Sequence, residues 1–322
     1  MNTMASKAAS FMAHGRGVLV LDNYALAAVT APPWPGLSFD RYTELVLQST
    51  GLSPYLSAVI VSRDTVLDGA PHLHGIGLGV RMTLPAGRAP GDLRSRLADL
   101  ASCNVTLAEW RANLPVGRVP RGAVHTDAAS LAEGAAASLA EGVTPILTVA
   151  MPDLESQSQG VTHAATANAL TALSAALVSA DVDPAAVLLR VNMIVSGSAN
   201  CTQPQPFQVA ESTLAVLDES IDHDLGGVVL LSSGQSLDKA CENLLAIADL
   251  AHKLSSPWPI TFGFTRAVVG ESLDVSQVKN EQFVHGLGYV QVKNEQLVHD
   301  ALVRACDQAF QSASGSAVRA TF

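Results

Sequence analysis

Short runs of almost unbroken apolar residues alternate with longer stretches in which apolar positions recur at helical spacing. The runs are GVLVLD (17–22), LSAVIVS (56–62), IGLGVRM (76–82), VTLAEW (105–110), TPILTVA (144–150), AVLLRVNM (186–193), GGVVLLSS (226–233) and PITFGF (259–264). Strands that are apolar on both faces belong to a parallel sheet covered by helices, whereas a half-solvated antiparallel strand alternates. Between the runs lie six helical patterns, at 40–50, 89–101, 127–142, 162–180, 208–220 and 236–254. Eight strand–helix units predict an α/β fold, a closed (β/α)8 TIM barrel forming one domain over residues 1–322, with 270–322 as a C-terminal helix and tail. An open doubly wound sheet is the competing architecture. It would carry a glycine-rich phosphate fingerprint after the first strand, but that strand ends in Asp22-Asn23-Tyr24.

Near the C-terminus, QVKNEQFVH (277–285) recurs as QVKNEQLVH (291–299). The 14-residue offset is close to four helical turns, so one helix would present both copies on the same face, although GLGY (286–289) weakens such a helix.

Composition narrows the class. Of 322 residues, 48% are hydrophobic and 15% charged, which excludes disorder. The net charge of −10, with no basic cluster, argues against nucleic acid as a partner. No apolar run reaches membrane-spanning length and no signal-peptide core opens the chain, so the expectation is a cytoplasmic protein without a membrane partner. Cys103, Cys201, Cys241 and Cys306 are far apart and read as buried structural thiols. The histidines are scattered; only His72 and His74 are close together, in a loop before the third strand, so no metal or other cofactor is expected.

In such a barrel, chemistry sits at the C-terminal ends of the strands. The polar residues there are Asp22, Ser62, Arg63, Arg81, Glu109, Arg111, Thr148, Arg190, Asn192, Ser232, Ser233 and, just beyond, Gly234, Thr265 and Arg266. Two carboxylates cannot neutralise four or more converging guanidiniums, so an anionic ligand, a phosphate or carboxylate, is implied. The SSGQS turn (232–236) opens a helix whose N-terminal amides suit a phosphate.

These segments resemble the class I fructose-bisphosphate aldolase family over most of the chain. HGRGVLVLDNY (14–24) is similar to the family's GKGILAADES, LAEWR (107–111) to FAKWR, and LLRVNMIVSG (188–197) to LLKPNMVTPG. LLSSGQSLDKACENLLAI (230–247) is similar to LSGGQSEEEASINLNAI, and PWPITFGFTRAV (257–268) to PWALTFSYGRAL. The resemblance implies the same barrel, a homo-oligomer that is usually a tetramer, a phosphorylated substrate, a catalytic Asp22, a substrate-binding Arg111, and a phosphate held by Ser232, Gly234 and Arg266.

The departures fall on the chemistry. The imine-forming lysine of LLKPNMV is Arg190, the lysine of the family's GIKV, which GVRM (79–82) resembles, is Arg81, and the lysine of AKWR is Glu109. The glutamates of IVEPE become Thr148 and Ala150, and the family's C-terminal tyrosine is matched by Phe322. Arginine stays protonated and cannot form an imine. The five lysines, Lys7, Lys239, Lys253, Lys279 and Lys293, all lie away from the strand ends. One reading is therefore an enzyme of lyase, isomerase or cyclase type. In it, Asp22 and Glu109 exchange protons, Arg190 and Arg111 stabilise negative charge, and Arg81, Thr148, Ser232, Ser233, Gly234 and Arg266 bind substrate. In the other, Glu109 is consumed in an ion pair with Arg190 or Arg81, and the chain is a non-catalytic relative that binds a sugar phosphate or an oligomeric partner. Ordinary aldolase activity is a third reading.

Overall fold

A computed structural model describes residues 3–21, 39–69, 73, 75–83, 90–113, 121–151, 156–280 and 287–315. Eight parallel strands run in sheet order one to eight: β1 (Gly17–Leu21), β2 (Leu56–Val61), β3 (Gly77–Met82), β4 (Val105–Asn113), β5 (Thr144–Ala150), β6 (Leu188–Asn192), β7 (Gly227–Leu231) and β8 (Ile260–Phe262). The helices follow in the expected alternation: α1 (Thr3–Met12), α2 (Phe39–Leu47), α3 (Arg63–Leu67), α4 (Pro90–Ser102), α5 (Arg121–Ala140), α6 (Gln159–Ser179), α7 (Pro206–Ser220), α8 (Leu237–Leu254), α9 (Thr265–Asn280) and α10 (Leu287–Ala313). All eight predicted strands form, and half of them, β1, β2, β5 and β6, are buried along their whole length, as apolar strands between a filled lumen and a helical shell are.

Two apolar clusters result. The outer one fills the space between the barrel wall and its helices. The inner one fills the lower lumen with Val18, Val20, Ile60, Leu107, Ile146, Leu188 and Val229, and α1 plugs it from below with Ala8, Phe11 and Met12. That plug was absent from the sequence reading. The seam between β1 and β8 closes through side chains. Phe262 lies against Gly17, where an added Cβ would come within 2.4 Å of the ring, and the Val20 N–H donates to Thr265 Oγ1 at 3.3 Å.

Several expectations need correction. The strand at 105–110 extends to Asn113, and the helix expected at 127–142 spans Arg121–Ala140. The C-terminal region is two helices, α9 and α10, packed together, and α9 already begins at Thr265. The first copy of the repeat ends α9, with 281–285 outside the described residues, while the second copy lies wholly in α10, so they do not share one helix. By length and composition alone α6 is apolar enough to cross a membrane, although the sequence holds no unbroken apolar run of that length; here its buried face packs in the outer shell against α5, α7 and β5. Cys241 and Cys306 are buried, but Cys103 is partly buried and Cys201 exposed, so the structural-thiol expectation holds for two of the four.

Close packing between β4 and α5 supplies a test. Trp110 is fully buried, donates its indole N–H to Ser138 Oγ at 2.9 Å, and lies flat on Gly134, where a Cβ would meet the ring at 2.5 Å. Gly134→Ala should lower stability by about 1–3 kcal/mol, the usual cost of overpacking. Urea denaturation reads this directly.

Candidate active site

Parallel register sets the site's polar layer. Arg81 on β3 stands opposite Glu109 on β4, and Thr148 on β5 stands opposite Arg190 on β6. Side chains alternate along a strand, so Glu109 and Arg111 share the luminal face while Trp110 points outward. The contacts bear this out. Glu109 Oε2 accepts from Arg81 Nε at 2.9 Å, and its Oε1 accepts from Arg190 Nη1 at 2.9 Å and from Thr148 Oγ1 at 2.7 Å. β4 and β6 are not neighbours in the sheet, so the Glu109–Arg190 bond crosses the lumen. Arg190 continues across it: Nη2 donates to Gly263 O at 3.0 Å and to Thr265 Oγ1 at 3.3 Å, beyond the end of β8.

The layer is dry. Side-chain exposure is 0% for Glu109, 3% for Arg190 and 14% for Arg81. Burial by itself would raise the Glu109 carboxyl, but the Arg81 and Arg190 charges, with hydrogen bonds from Arg81 and Thr148, bring it down to about 2. Burial pushes the Arg190 guanidinium down to about 10; Glu109 opposes this, while Arg81 and Arg111 act as like charges. Both groups are therefore ionised near neutral pH. A carboxylate this acidic and enclosed is poorly matched to proton transfer at neutral pH. Of the two roles expected for Glu109, the ion pair is the one that forms, and with both guanidiniums at once. Asp22, the acid–base partner expected for Glu109, lies outside the described residues.

Above this layer the barrel opens. Arg111, one inward position beyond Glu109, is partly exposed. Asn192 ties two strand ends together: its Oδ1 accepts the Met151 N–H at 2.7 Å, and its Nδ2 donates to Ser233 Oγ at 3.1 Å. After β7 the backbone turns through two left-handed residues, Ser233 (φ 55°) and Gly234 (φ 80°). Glycine adopts this conformation freely and serine does not, so Ser233 must be held. Its bonds to Asn192 and Met193 O hold it. Gln235 Nε2 donates to Ser232 O at 2.8 Å, and the buried Asn243 donates to Gln235 Oε1, tying the turn to α8. Ser236 caps α8, its hydroxyl accepting from the Lys239 N–H. Gln235 and Asn243 were missed as supports; the GQS that follows the two serines was the available signal.

Ser233 and Arg266 line one small cavity of about 30 Å3 together with Asn192, Gln157 and Thr162. Arg266, exposed in the first turn of α9, lies where helix N–H groups and its own positive charge reinforce each other. Arg81, Glu109, Thr148 and Arg190 thus form one enclosed cluster, while Ser233 and Arg266 meet at the mouth. Asp22, Phe322, His72 and His74 lie outside the described residues. Lys7 donates to Gly142 O on the opposite face, and Lys239 pairs with Glu242 on the surface of α8, whose last turn carries the exposed Lys253. No described lysine amine reaches the mouth; the side chains of Lys279 and Lys293 are not among those described.

The fold and its polar mouth define an aldolase-type barrel, and comparison with known proteins gives the family. The model of the class-I fructose-bisphosphate aldolase family matches residues 87–313, and the chain belongs to that family. It is 26% identical over 294 residues to a protein of Xanthomonas campestris pv. campestris named probable fructose-bisphosphate aldolase class 1, covering 82% of this chain and 86% of that one. It is 28% identical over 260 residues to the cytosolic fructose-bisphosphate aldolase 6 of Arabidopsis thaliana, covering 74% and 72%. Among solved structures, the fructose-bisphosphate aldolase of Plasmodium falciparum, crystallised with TRAP and a small-molecule inhibitor, superposes with a TM-score of 0.79 at 21% identity, over 97% of this chain and 94% of that one.

Glu109→Gln tests the cluster. It leaves two guanidiniums in a dry lumen without their anion, and stability should fall by about 3–5 kcal/mol. Because the folded carboxyl lies below its ordinary value of 4.5, Glu109 stabilises the fold above that pH, and its contribution is lost as pH falls from about 4.5 through about 2. Guanidinium titrations of both proteins across that window should converge at the acid end. A constant difference would show that Glu109 is not the titrating group.

Proposed function

We propose that this chain binds a phosphorylated small molecule at the mouth formed by the ends of β6, β7 and β8, and that it does not process that molecule through an imine. The carrying observation is Arg190. It occupies the position of the family's imine-forming lysine, is buried, and is bonded to Glu109, Gly263 and Thr265. A guanidinium so held stays protonated and offers no nucleophile. The anion rests on Arg266, the Ser233–Gly234 turn and the α8 N-terminus, with Arg111 as a further cation facing the mouth. Names of the relatives support a sugar phosphate as the ligand class, and the resemblance supports a homo-oligomer.

A lyase acting through a stabilised enolate is the second reading. The partly exposed Arg111 favours it, since a cation one position above a closed ion cluster can oppose charge developing on a bound carbonyl compound. Asp22 would then be the proton-transfer group in place of Glu109.

Three measurements test these readings, and the first separates them from ordinary aldolase chemistry. Borohydride reduction in the presence of fructose 1,6-bisphosphate should leave the intact mass unchanged; a stable adduct on any lysine would overturn the proposal. Arg266→Ala should weaken binding of that ligand by about 1.5–3 kcal/mol, the worth of a charged hydrogen bond. Calorimetry reads the affinity, and release of a triose product by the wild-type chain would select the lyase.

A further inference from the structure

The opposite, N-terminal face of the barrel carries a second recess, of about 610 Å3. That is within the range of roughly 300–1,000 Å3 typical of small-molecule sites. Its walls come from α1, the turn into β1, the first residues of β2, β3 and β4, and the turn between α5 and β5. Two cations line it among the described residues. Lys7 spends one ammonium proton on Gly142 O at 3.0 Å and keeps two. Arg16 lines it too, and its Nε–H is enclosed by protein with no hydrogen-bond partner among the described residues. An unpaired buried guanidinium N–H is costly and normally marks a missing ligand, ion or water. The lining carboxylate, Glu141, is already paired with Arg94 Nε at 2.8 Å, so it does not cancel the two cations.

The hydroxyls add a preference. Ser57 donates to Gly17 O and Thr106 to Leu78 O, so their protons are committed and their oxygens remain acceptors. A ligand that satisfies this wall brings negative charge for Lys7 and Arg16 and hydroxyl donors for Ser57 and Thr106. The recess does not continue into the mouth. Phe11 packs on the start of β3, where a Cβ on Gly77 would meet its ring at 2.6 Å, and the luminal apolar cluster lies beyond it.

We propose that this recess is a second binding site, separate from the mouth, for a small hydroxylated organic anion. The test uses the full chain carrying Arg266→Ala, so that binding at the mouth is already weakened. Glucose 6-phosphate, gluconate and inorganic phosphate serve as probes, followed by calorimetry and by hydrogen exchange. One equivalent of glucose 6-phosphate or gluconate should bind and slow exchange in residues 7–17 and 104–106; which of the two binds more tightly identifies the anionic group. Adding Lys7→Gln or Arg16→Gln should weaken that binding about tenfold or more, the loss expected for one charged hydrogen bond. Lys7 is exposed on α1, so its variant should unfold at the same temperature as its parent and separates lost binding from lost folding. Failure of all three probes to bind, or binding that ignores both substitutions and protects only 232–236, overturns the proposal and leaves the mouth reading intact.

Discussion

The barrel is organised around one carboxylate shared by two guanidiniums. Glu109 joins β3 to β4 through Arg81, reaches β5 through Thr148, and crosses the lumen to β6 through Arg190. Arg190 then reaches the end of β8 at Gly263 and Thr265, and Thr265 also receives the Val20 N–H of β1. A single connected network thus touches six of the eight strands or their ends, including both sides of the closing seam. Its geometry constrains its neighbours. A Cβ on Gly263 would lie 3.0 Å from Arg190 Nε and 2.8 Å from Val229, so the guanidinium requires a residue without a side chain at that bend.

Such a network has a functional cost. A carboxylate with three donors and no solvent contact is fixed in one protonation state, and a guanidinium bonded at both ends has little freedom to follow a substrate. Polar groups in this lumen therefore hold the wall together, and the polar groups left to face a cavity or solvent lie one level up, at Arg111, Asn192, the Ser233–Gly234 turn and Arg266. The division agrees with the burial. The lower layer is closed, whereas the upper residues line a cavity or remain partly exposed.

Sequence patterning gave away the architecture because buried parallel strands leave an unmistakable signature: unbroken apolar runs such as 56–61 and 144–150 at regular intervals. Strand-end positions then followed from topology, which is why Arg81, Glu109, Thr148 and Arg190 could be named together. What patterning could not decide was whether these side chains face a ligand or one another. Opposite charges on β4 and β6 are consistent with both, and the outcome depends on reach across the lumen. The α1 plug was missed because Thr3–Met12 reads as an undistinguished terminal helix until the barrel gives its Phe11 and Met12 a hole to fill. Supports such as Asn243 were hidden for another reason. An asparagine inside an amphipathic helix looks like a surface residue, and only the turn beneath it shows what it holds.

Charge bookkeeping across the layer explains why several departures from the family pattern occur together. The pattern this chain resembles places lysines at the positions of Arg81, Glu109 and Arg190, and glutamates at those of Thr148 and Ala150. Three cations and two anions leave one formal positive charge. Here two arginines and one glutamate leave the same surplus, although the carboxylate has moved from β5 to β4. Arg190 finds acceptors on three residues, Glu109, Gly263 and Thr265. Glu109 is the charged one, at 2.9 Å, and the buried Thr148 opposite Arg190 brings a hydroxyl to the same carboxylate and no charge that would need a partner. Set beside the pattern it resembles, this group of positions therefore carries the same formal charge through a different arrangement of side chains.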